Sequence, residues 1–463
     1  MILVVSIVVN FGLGKLLERD GEKQKIFLFL GLAFNLGLLG YYKYADFFIT
    51  NIFWLVNVNH AITAIILPIG ISFFTFQQIA YLMDVYRGIK GRYTFSEYGL
   101  FVSFFPQLIA GPIVHHREMM PQFSTLATAN ISLRISIGLS LIVFGLFKKV
   151  VLADTIAEFS SPVFEMADEG MQITLLPAWI AAVGFSLQIY FDFSGYTDIA
   201  IGLGALFGIK LPINFFSPYK AHSIIDFWQR WHISLSRFLK NYLYIPLGGN
   251  RHRQFVNILV TMLLGGLWHG AAWTFVLWGG LHGCLIGINH AWRKWGPNPL
   301  GSNIAFWPLT MLAITLCWVP FRAETFTGAM AIWTGMIGFN GLILPTSYYD
   351  FLPALGITDW LSSIQLSIEP ATLRSNIGYV ENFSGMKEFL ILLLVVFLMP
   401  NTMEIFSRYQ PFITNERFLT VDVTQHRIIT WKPSALWAGA TTCAAITVLY
   451  KLNDVSEFLY FNF

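Results

Sequence analysis

The sequence is poor in charge. Asp, Glu, Lys and Arg make up 12% of its 463 residues, and 55% are hydrophobic. A soluble domain carries about 25% charged residues, so this balance, with a mean hydropathy of +0.60, excludes an ordinary soluble protein. The net charge of +3 is too small to point to nucleic acid, and none is expected as a partner. Cysteine is scarce as well. Cys284, Cys317 and Cys443 lie far apart in apolar runs, with neither a metal-ligand spacing nor a disulfide framework. They read as buried, inert thiols, and no metal is expected. The alternating ten-residue strands of a membrane barrel are absent. Helices therefore remain as the structure that satisfies its own backbone in lipid. A secretory leader's positive start and small-residue cleavage site are missing too, so the apolar start reads as a retained membrane segment.

What is present is a series of apolar segments, near 1–17, 26–42, 47–58, 61–83, 98–114, 134–153, 173–206, 255–267, 271–291, 304–320, 325–340, 388–406 and 434–450. A full span needs about 20 apolar residues, so the shorter ones read as tilted, re-entrant or half-spans. The expectation is about ten to twelve crossings. No linker rich in Ser, Pro or charge divides the chain, which reads as one membrane domain over 1–463.

Lys and Arg in short loops set orientation. Residues 207–253 carry Lys210, Lys220, Arg230, Arg237, Lys240, Arg251 and Arg253 against Asp226, which places them in the cytoplasm. The stretch 341–386 is acidic and reads as an extracytoplasmic loop, and the tail 451–463 falls on the same side. Four segments lie between 253 and 340, so at least one of them must fail to cross. The region near Gly265-Gly266 and the hairpin around Pro320 are the candidates.

Two histidines stand out. On a helical wheel of 226–242, Trp228, Trp231, Leu235, Phe238 and Tyr242 form one stripe, opposite Asp226, Gln229, Arg230, Arg237, Lys240 and Asn241. This predicts an interfacial amphipathic helix with His232 at the edge of the stripe. His232 reads either as a hydrogen-bonded residue at the lipid boundary or as a functional group. The arginines suit lipid or donor phosphate through their fork of donors. His269 sits in Trp268-His269-Gly270, inside an apolar run with no formal charge. Intramembrane ionisable groups usually face an internal cavity, and its glycine and alanine neighbours allow close packing. His282, thirteen residues on, falls on another face of an unbroken helix and reads as structural. Asp192 and Asp198 interrupt an apolar run. They read as a polar break that caps helices, with cation binding as the other possibility. Leu-Gly-Gly-Asn-Arg at 247–251 resembles a phosphate loop in composition only. The terminal run from Phe458 to Phe463 is compatible with an interfacial anchor.

The motifs Phe227-Trp-Gln-Arg-Trp-His232-Ile-Ser-Leu-Ser-Arg-Phe-Leu, Tyr244-Ile-Pro-Leu-Gly-Gly-Asn-Arg251 and Gly266-Leu-Trp-His269-Gly closely resemble the membrane-bound O-acyltransferase (MBOAT) family. The likeness is to its bacterial alginate O-acetyltransferase-like branch, and it extends over essentially the whole chain. It implies an all-α polytopic bundle with re-entrant and interfacial helices around a central tunnel, set in the bacterial inner membrane. It implies acetyl-CoA as acyl donor, His269 as principal catalytic residue and His232 as its companion. Trp228, Arg230, Trp231, Arg237, Asn241 and Trp268 are the expected substrate-binding residues. The terminal Phe458-Leu-Tyr460-Phe461-Asn-Phe463 is similar to the Phe-x-Tyr-Phe-x-Phe motif of related acylation systems, whose tyrosine accepts the acyl group. That similarity favours a functional Tyr460 over the anchor. The implied partners are membrane lipid, a periplasmic SGNH-type acetyltransferase and polysaccharide assembly proteins.

Mechanistically, a neutral His269 is expected to act as general base, with His232 polarising or orienting the thioester. Tyr460 lies about ten residues past the last span, a reach of about 30 Å when extended. The same chemistry serving peptidoglycan or another exopolysaccharide is the alternative within the class. A non-enzymatic exporter of a lipid-linked or acylated intermediate is the alternative outside it, although no internal repeat of the transporter kind is evident.

Overall fold

A computed structural model describes residues 1–19, 21–56, 65–89, 91, 93–109, 111–124, 130–296, 306–344, 368–370, 384–414, 429–452 and 459. The first part of the chain forms α1 (Ile2–Leu17), α2 (Gln24–Leu39), a π-helical turn at Gly40–Tyr44, α3 (Ala45–Leu55), α4 (Ile71–Tyr86), α5 (Phe95–Ser103), α6 (Phe105–Leu108) and α7 (His116–Ser124). Helices α1, α2 and α4 pack together around a buried polar knot. Asn10 and Asn35 bond each other at 3.2 and 2.6 Å, and Gln78 donates to Ser6 Oγ at 2.9 Å. Between apolar helices in lipid, such side-chain bonds supply association that hydrophobicity alone cannot.

The centre follows. Helix α8 (Ile131–Leu146) runs through a π-helical segment (Phe147–Ala153) into α9 (Asp154–Asp168), and α10 (Leu175–Phe207) crosses back. At 1.5 Å per residue, α10 is about 50 Å long, more than a hydrocarbon core of about 30 Å. It packs against α8, α9, α15 and α16 and is mostly buried. Glycines bring α8 and α10 together. A Cβ on Gly138 would lie 2.8 Å from the Gly202 carbonyl oxygen, and one on Gly202 would lie 2.7 Å from that of Gly138; Gly145 and Gly195 repeat the arrangement at 2.5 and 2.7 Å. Both pairs are seven residues apart on their helices, so the two backbones touch along two turns.

After α10 come β1 (Leu211–Pro212), α11 (Ile224–Arg230), α12 (Ile233–Leu239), a π-helical turn (Lys240–Tyr244), α13 (Gln254–His269), α14 (Trp273–Trp295), α15 (Trp307–Arg322), α16 (Phe326–Ile337), β2 (Leu342–Leu344), β3 (Ile368–Pro370), α17 (Ser384–Leu398), α18 (Thr402–Ile405), β4 (Phe412–Ile413) and α19 (Ala435–Lys451). The strands are short parallel clamps, β1 on β4 and β2 on β3.

Among the described residues, three continuous helical runs are long and apolar enough to span alone: Gln24–Leu55, Ile131–Asp168 and Leu175–Phe207. Among the segments between 253 and 340, α13 is a 16-residue helix, about 24 Å long. It folds back at Gly270–Ala272 onto α14, its main neighbour. Helix α16 has 12 residues and lies across α9 and α10.

Four expectations need correction. The stretch 226–242 is not one helix: it breaks at Trp231–His232, and its apolar stripe faces the protein core rather than lipid. Asp192 and Asp198 do not break or cap anything. They sit inside α10 and pair with Lys149 and Lys148 of the neighbouring π-helical segment. Cys317 alone of the three cysteines is buried; Cys284 and Cys443 are on the outer surface. The segment 98–114 is divided into α5 and α6 by the extended backbone at Phe104. Most of the acidic stretch 341–386 lies outside the described residues.

The α13/α14 hairpin gives the first test. A Cβ on Gly279 would fall on the Met262 carbonyl oxygen, and one on Gly266 on that of Phe275. Gly279→Val is expected to cost about 1–3 kcal/mol by overpacking, seen as a lower midpoint in thermal unfolding of the detergent-solubilised protein. An unchanged midpoint would mean that the helices are not in contact there.

Candidate active site

The break that carries His232 is built by the preceding loop. Ile233 donates its N–H to the Asn214 carbonyl at 2.9 Å, and Ser234 gives both its N–H and its hydroxyl to Asn214 Oδ1, at 3.1 and 2.9 Å. Phe216 N–H closes the other side on the Arg230 carbonyl at 2.9 Å. Between these ties His232 adopts φ 41° and ψ 53°, a left-handed conformation that costs an L-residue roughly 1–2 kcal/mol. The surrounding bonds hold it there, and the side chain turns inward: His232 is 4% exposed.

His269 ends α13. Its last carbonyls lack partners within the helix, as at every helix C-terminus, and here the end is buried. Lys43, from the π-helical turn after α2, donates to the carbonyls of Trp268 at 2.6 Å and His269 at 3.1 Å. The Tyr44 hydroxyl takes the Leu267 carbonyl at 3.0 Å. A cation at this end also meets the negative pole of the helix dipole. Among the described residues no carboxylate pairs with Lys43; its charge is spent on α13. Sequence reading missed Lys43, because its target lies 225 residues away.

The two imidazoles are neighbours, set edge to face with ring centres 6.4 Å apart and planes 67° to each other. No hydrogen bond joins them. Nδ1 of each is buried without a protein partner among the described residues. Aromatic rings wall the space. Trp268, Trp278 and Phe321 stand edge-on to His269 at 4.9, 5.1 and 5.2 Å, and Trp268 stacks on Phe76 at 5.2 Å. Trp231 packs on Phe227 and Trp318 at 5.5 and 5.0 Å.

The turn after His269 also corrects the reading of His282. Because α14 doubles back, His282 lies on the same ring as His269: Trp278 is 4.9 Å from its centre. Trp228 Nε1 donates to His282 Nδ1 at 3.2 Å, which fixes the His282 proton on Nε2. That Nε2 is buried and has no protein partner among the described residues. The site therefore holds three histidines. His232, expected from the sequence at an interfacial helix as the companion of His269, lies beside it in the buried interior.

The expected substrate-binding residues divide. Trp228, Trp231 and Trp268 belong to the aromatic wall. Arg230 is taken by Asp226 at 3.0 Å and Arg237 by Glu118 in a two-pronged bond at 2.6 and 2.8 Å. Asn241 accepts from Arg87 through its backbone carbonyl at 3.2 Å. Tyr460 lies outside the described residues. Among those described, no group of His, Cys, Asp or Glu has the arrangement of a metal site.

Burying an ammonium costs several kcal/mol, and leaving the buried Trp268 and His269 carbonyls without their donor costs about 1–3 kcal/mol each, so the two effects oppose each other. Lys43→Met is expected to change thermal stability little and to lower acyl-transfer turnover about tenfold or more, with Lys43→Arg recovering part. Full turnover in Lys43→Met would separate this contact from the chemistry.

The chain is similar in sequence to known proteins. The sequence profile described as "MBOAT, membrane-bound O-acyltransferase family" matches residues 33–319, which include Lys43 and all three histidines. The peptidoglycan O-acetyltransferase of Helicobacter pylori is 46% identical over 74% of this chain and 71% of its own length. The probable alginate O-acetylase AlgI of Azotobacter vinelandii is 39% identical over 72% of this chain and 68% of its own. The teichoic acid D-alanyltransferase of Streptococcus thermophilus is 28% identical over 51% and 62%. With its apolar helices and its buried histidine chamber, this chain is a membrane enzyme and belongs to the membrane-bound O-acyltransferase family.

Proposed function

We propose that this acyltransferase takes acetyl from cytoplasmic acetyl-CoA and passes it across the inner membrane for O-acetylation of an alginate-like exported or cell-surface polysaccharide. The observation that carries the proposal is the adjacent pair His232 and His269, each with a buried ring nitrogen that has no hydrogen-bond partner among the described residues. The D-alanyl and acetyl relatives share acyl transfer, and the acetyl relatives are the more similar. In this reading the thioester carbonyl enters the space between the rings. A neutral imidazole of His269 takes the proton of an acceptor hydroxyl as its oxygen attacks. The new O–acetyl bond forms, the C–S bond breaks, and the proton passes to the departing CoA sulfur. His232 orients or polarises the carbonyl. The aromatic wall excludes water, which would otherwise hydrolyse the thioester.

The acceptor assigned here is Tyr460. An acetylated phenol is an activated ester, able to hand its acyl group to a periplasmic SGNH-type transferase and on to the glycan. The 451–463 tail is then extracytoplasmic in origin and reaches inward, while residues 207–253 meet the donor from the cytoplasm. The 46% identity to a peptidoglycan O-acetyltransferase supports peptidoglycan as the second choice of glycan.

The test uses the purified full chain in liposomes with radiolabelled acetyl-CoA. The chain is expected to become labelled. His269→Ala should lower labelling by about 10²–10⁴, the usual range for a general base, and Tyr460→Phe should abolish it. A well-folded His269→Ala with full transfer would end the assignment of His269, and unchanged glycan acetylation in Tyr460→Phe would remove Tyr460. Supplying the periplasmic fraction with alginate or peptidoglycan separates the two glycans.

A further inference from the structure

Away from the histidines, charges are buried between α9, α10 and the π-helical segment at 147–153. Lys149 Nζ lies 2.7 Å from Asp154 Oδ1 and 3.0 Å from Asp192 Oδ1, with side-chain exposures of 3%, 9% and 2% for the three residues. One ammonium thus serves two carboxylates, and Asp192 Oδ2 is left open to a further donor. A buried carboxylate oxygen needs one. The donor is the backbone N–H of Leu459, at 3.2 Å, brought from 267 residues further along the chain. The Leu459 side chain is 6% exposed and packs in the same continuous core as Trp278, Trp318 and Phe321, three rings of the histidine chamber. A second tie stands beside the first. Lys451, the last residue of α19, donates to Thr155 Oγ1 at 2.7 Å, next in sequence to Asp154.

We propose that the Lys149–Asp154–Asp192 trio is a docking site for the chain's own C-terminal segment, with Asp192 holding the N–H of Leu459. Its chemistry suits a backbone ligand. A single charge-assisted bond recognises main chain, whatever the side chains around it, and the leucine fills the apolar wall beside it. The tether is also releasable. Leaving costs one bond to a charged group, worth about tenfold or more in occupancy, together with the exposure of one leucine. Leu459 immediately precedes Tyr460. The purpose of the dock therefore rests on the carrier role proposed above, whereas its existence does not.

The experiment reads docking and transfer separately in the full-length protein. With Cys284 and Cys443 replaced by serine and the buried Cys317 by alanine, Leu459→Cys should react with a maleimide slowly in the folded protein and fast after denaturation. Asp192→Asn and Asp192→Leu should each raise the folded-state rate, the latter by about tenfold or more. In case the core variants fail to fold, the tail gives the complementary test. Leu459→Pro deletes the N–H and should lose transfer, while Leu459→Met keeps both the N–H and an apolar side chain of similar volume and should retain it. A cysteine at 459 that reacts as fast in folded as in denatured protein, or that ignores both Asp192 substitutions, overturns the dock. If Tyr460→Phe transfers normally while the cysteine still responds to Asp192, the carrier reading falls and the dock stands. If Tyr460→Phe is dead while Leu459→Pro transfers normally, the dock falls and the carrier stands.

Discussion

A helix that ends inside an apolar bundle leaves carbonyl oxygens that water cannot reach. Helix α13 ends this way at His269, and the donors that answer it, Lys43 and Tyr44, come from more than 220 residues earlier in the chain. Much else follows from that constraint. The chain can turn back after 16 residues rather than run on through the bilayer. The turn sets the imidazole at the buried helix tip. The same reversal brings α14 alongside and places Trp278 against both His269 and His282. A lysine without a carboxylate partner is costly inside a membrane protein, and its position is explained by the helix end it satisfies.

The second half of the chamber depends on a different device. The loop at 213–216 grips both sides of Trp231–His232, so two short helices meet at a fixed bend. Each histidine therefore stands at a discontinuity of the backbone, one at a helix end and one at a break. In such places side chains point into space that a regular helix would fill with its own atoms. The rings hold the imidazoles by edge-on contact and leave His232 and His269 almost wholly cut off from solvent.

Much of the plan was legible in the sequence. The apolar run 173–206 corresponds to α10 at Leu175–Phe207, and 434–450 to α19 at Ala435–Lys451. Trp228, Trp231, Trp268, His232 and His269 were all singled out, and the structure puts them in one wall and one chamber. What escaped notice has a common physical origin. Helical periodicity assumes 3.6 residues per turn and an unbroken axis. A single left-handed residue at 232 and a turn at 270–272 defeat that assumption, so the wheel placed His232 at a lipid edge and His282 on a remote face. The π-helical turns at 40–44 and 147–153 are equally invisible to a period, yet they present Lys43, Lys148 and Lys149. Contacts such as Lys43 with His269, or Asp192 with Leu459, join positions more than 200 residues apart, and no local pattern signals them.

The left-handed backbone at His232 has a consequence for how the position is interrogated. The residue makes two contributions there, a tolerated positive φ and an imidazole, and common replacements disturb both together. Alanine removes the ring but also strains the main chain, so any lost activity would mix folding with chemistry. Glycine or asparagine accepts the same dihedral angles at little cost while lacking the imidazole. At this one position the conformational role and the chemical role are thus experimentally separable, which is seldom so for a residue suspected of catalysis.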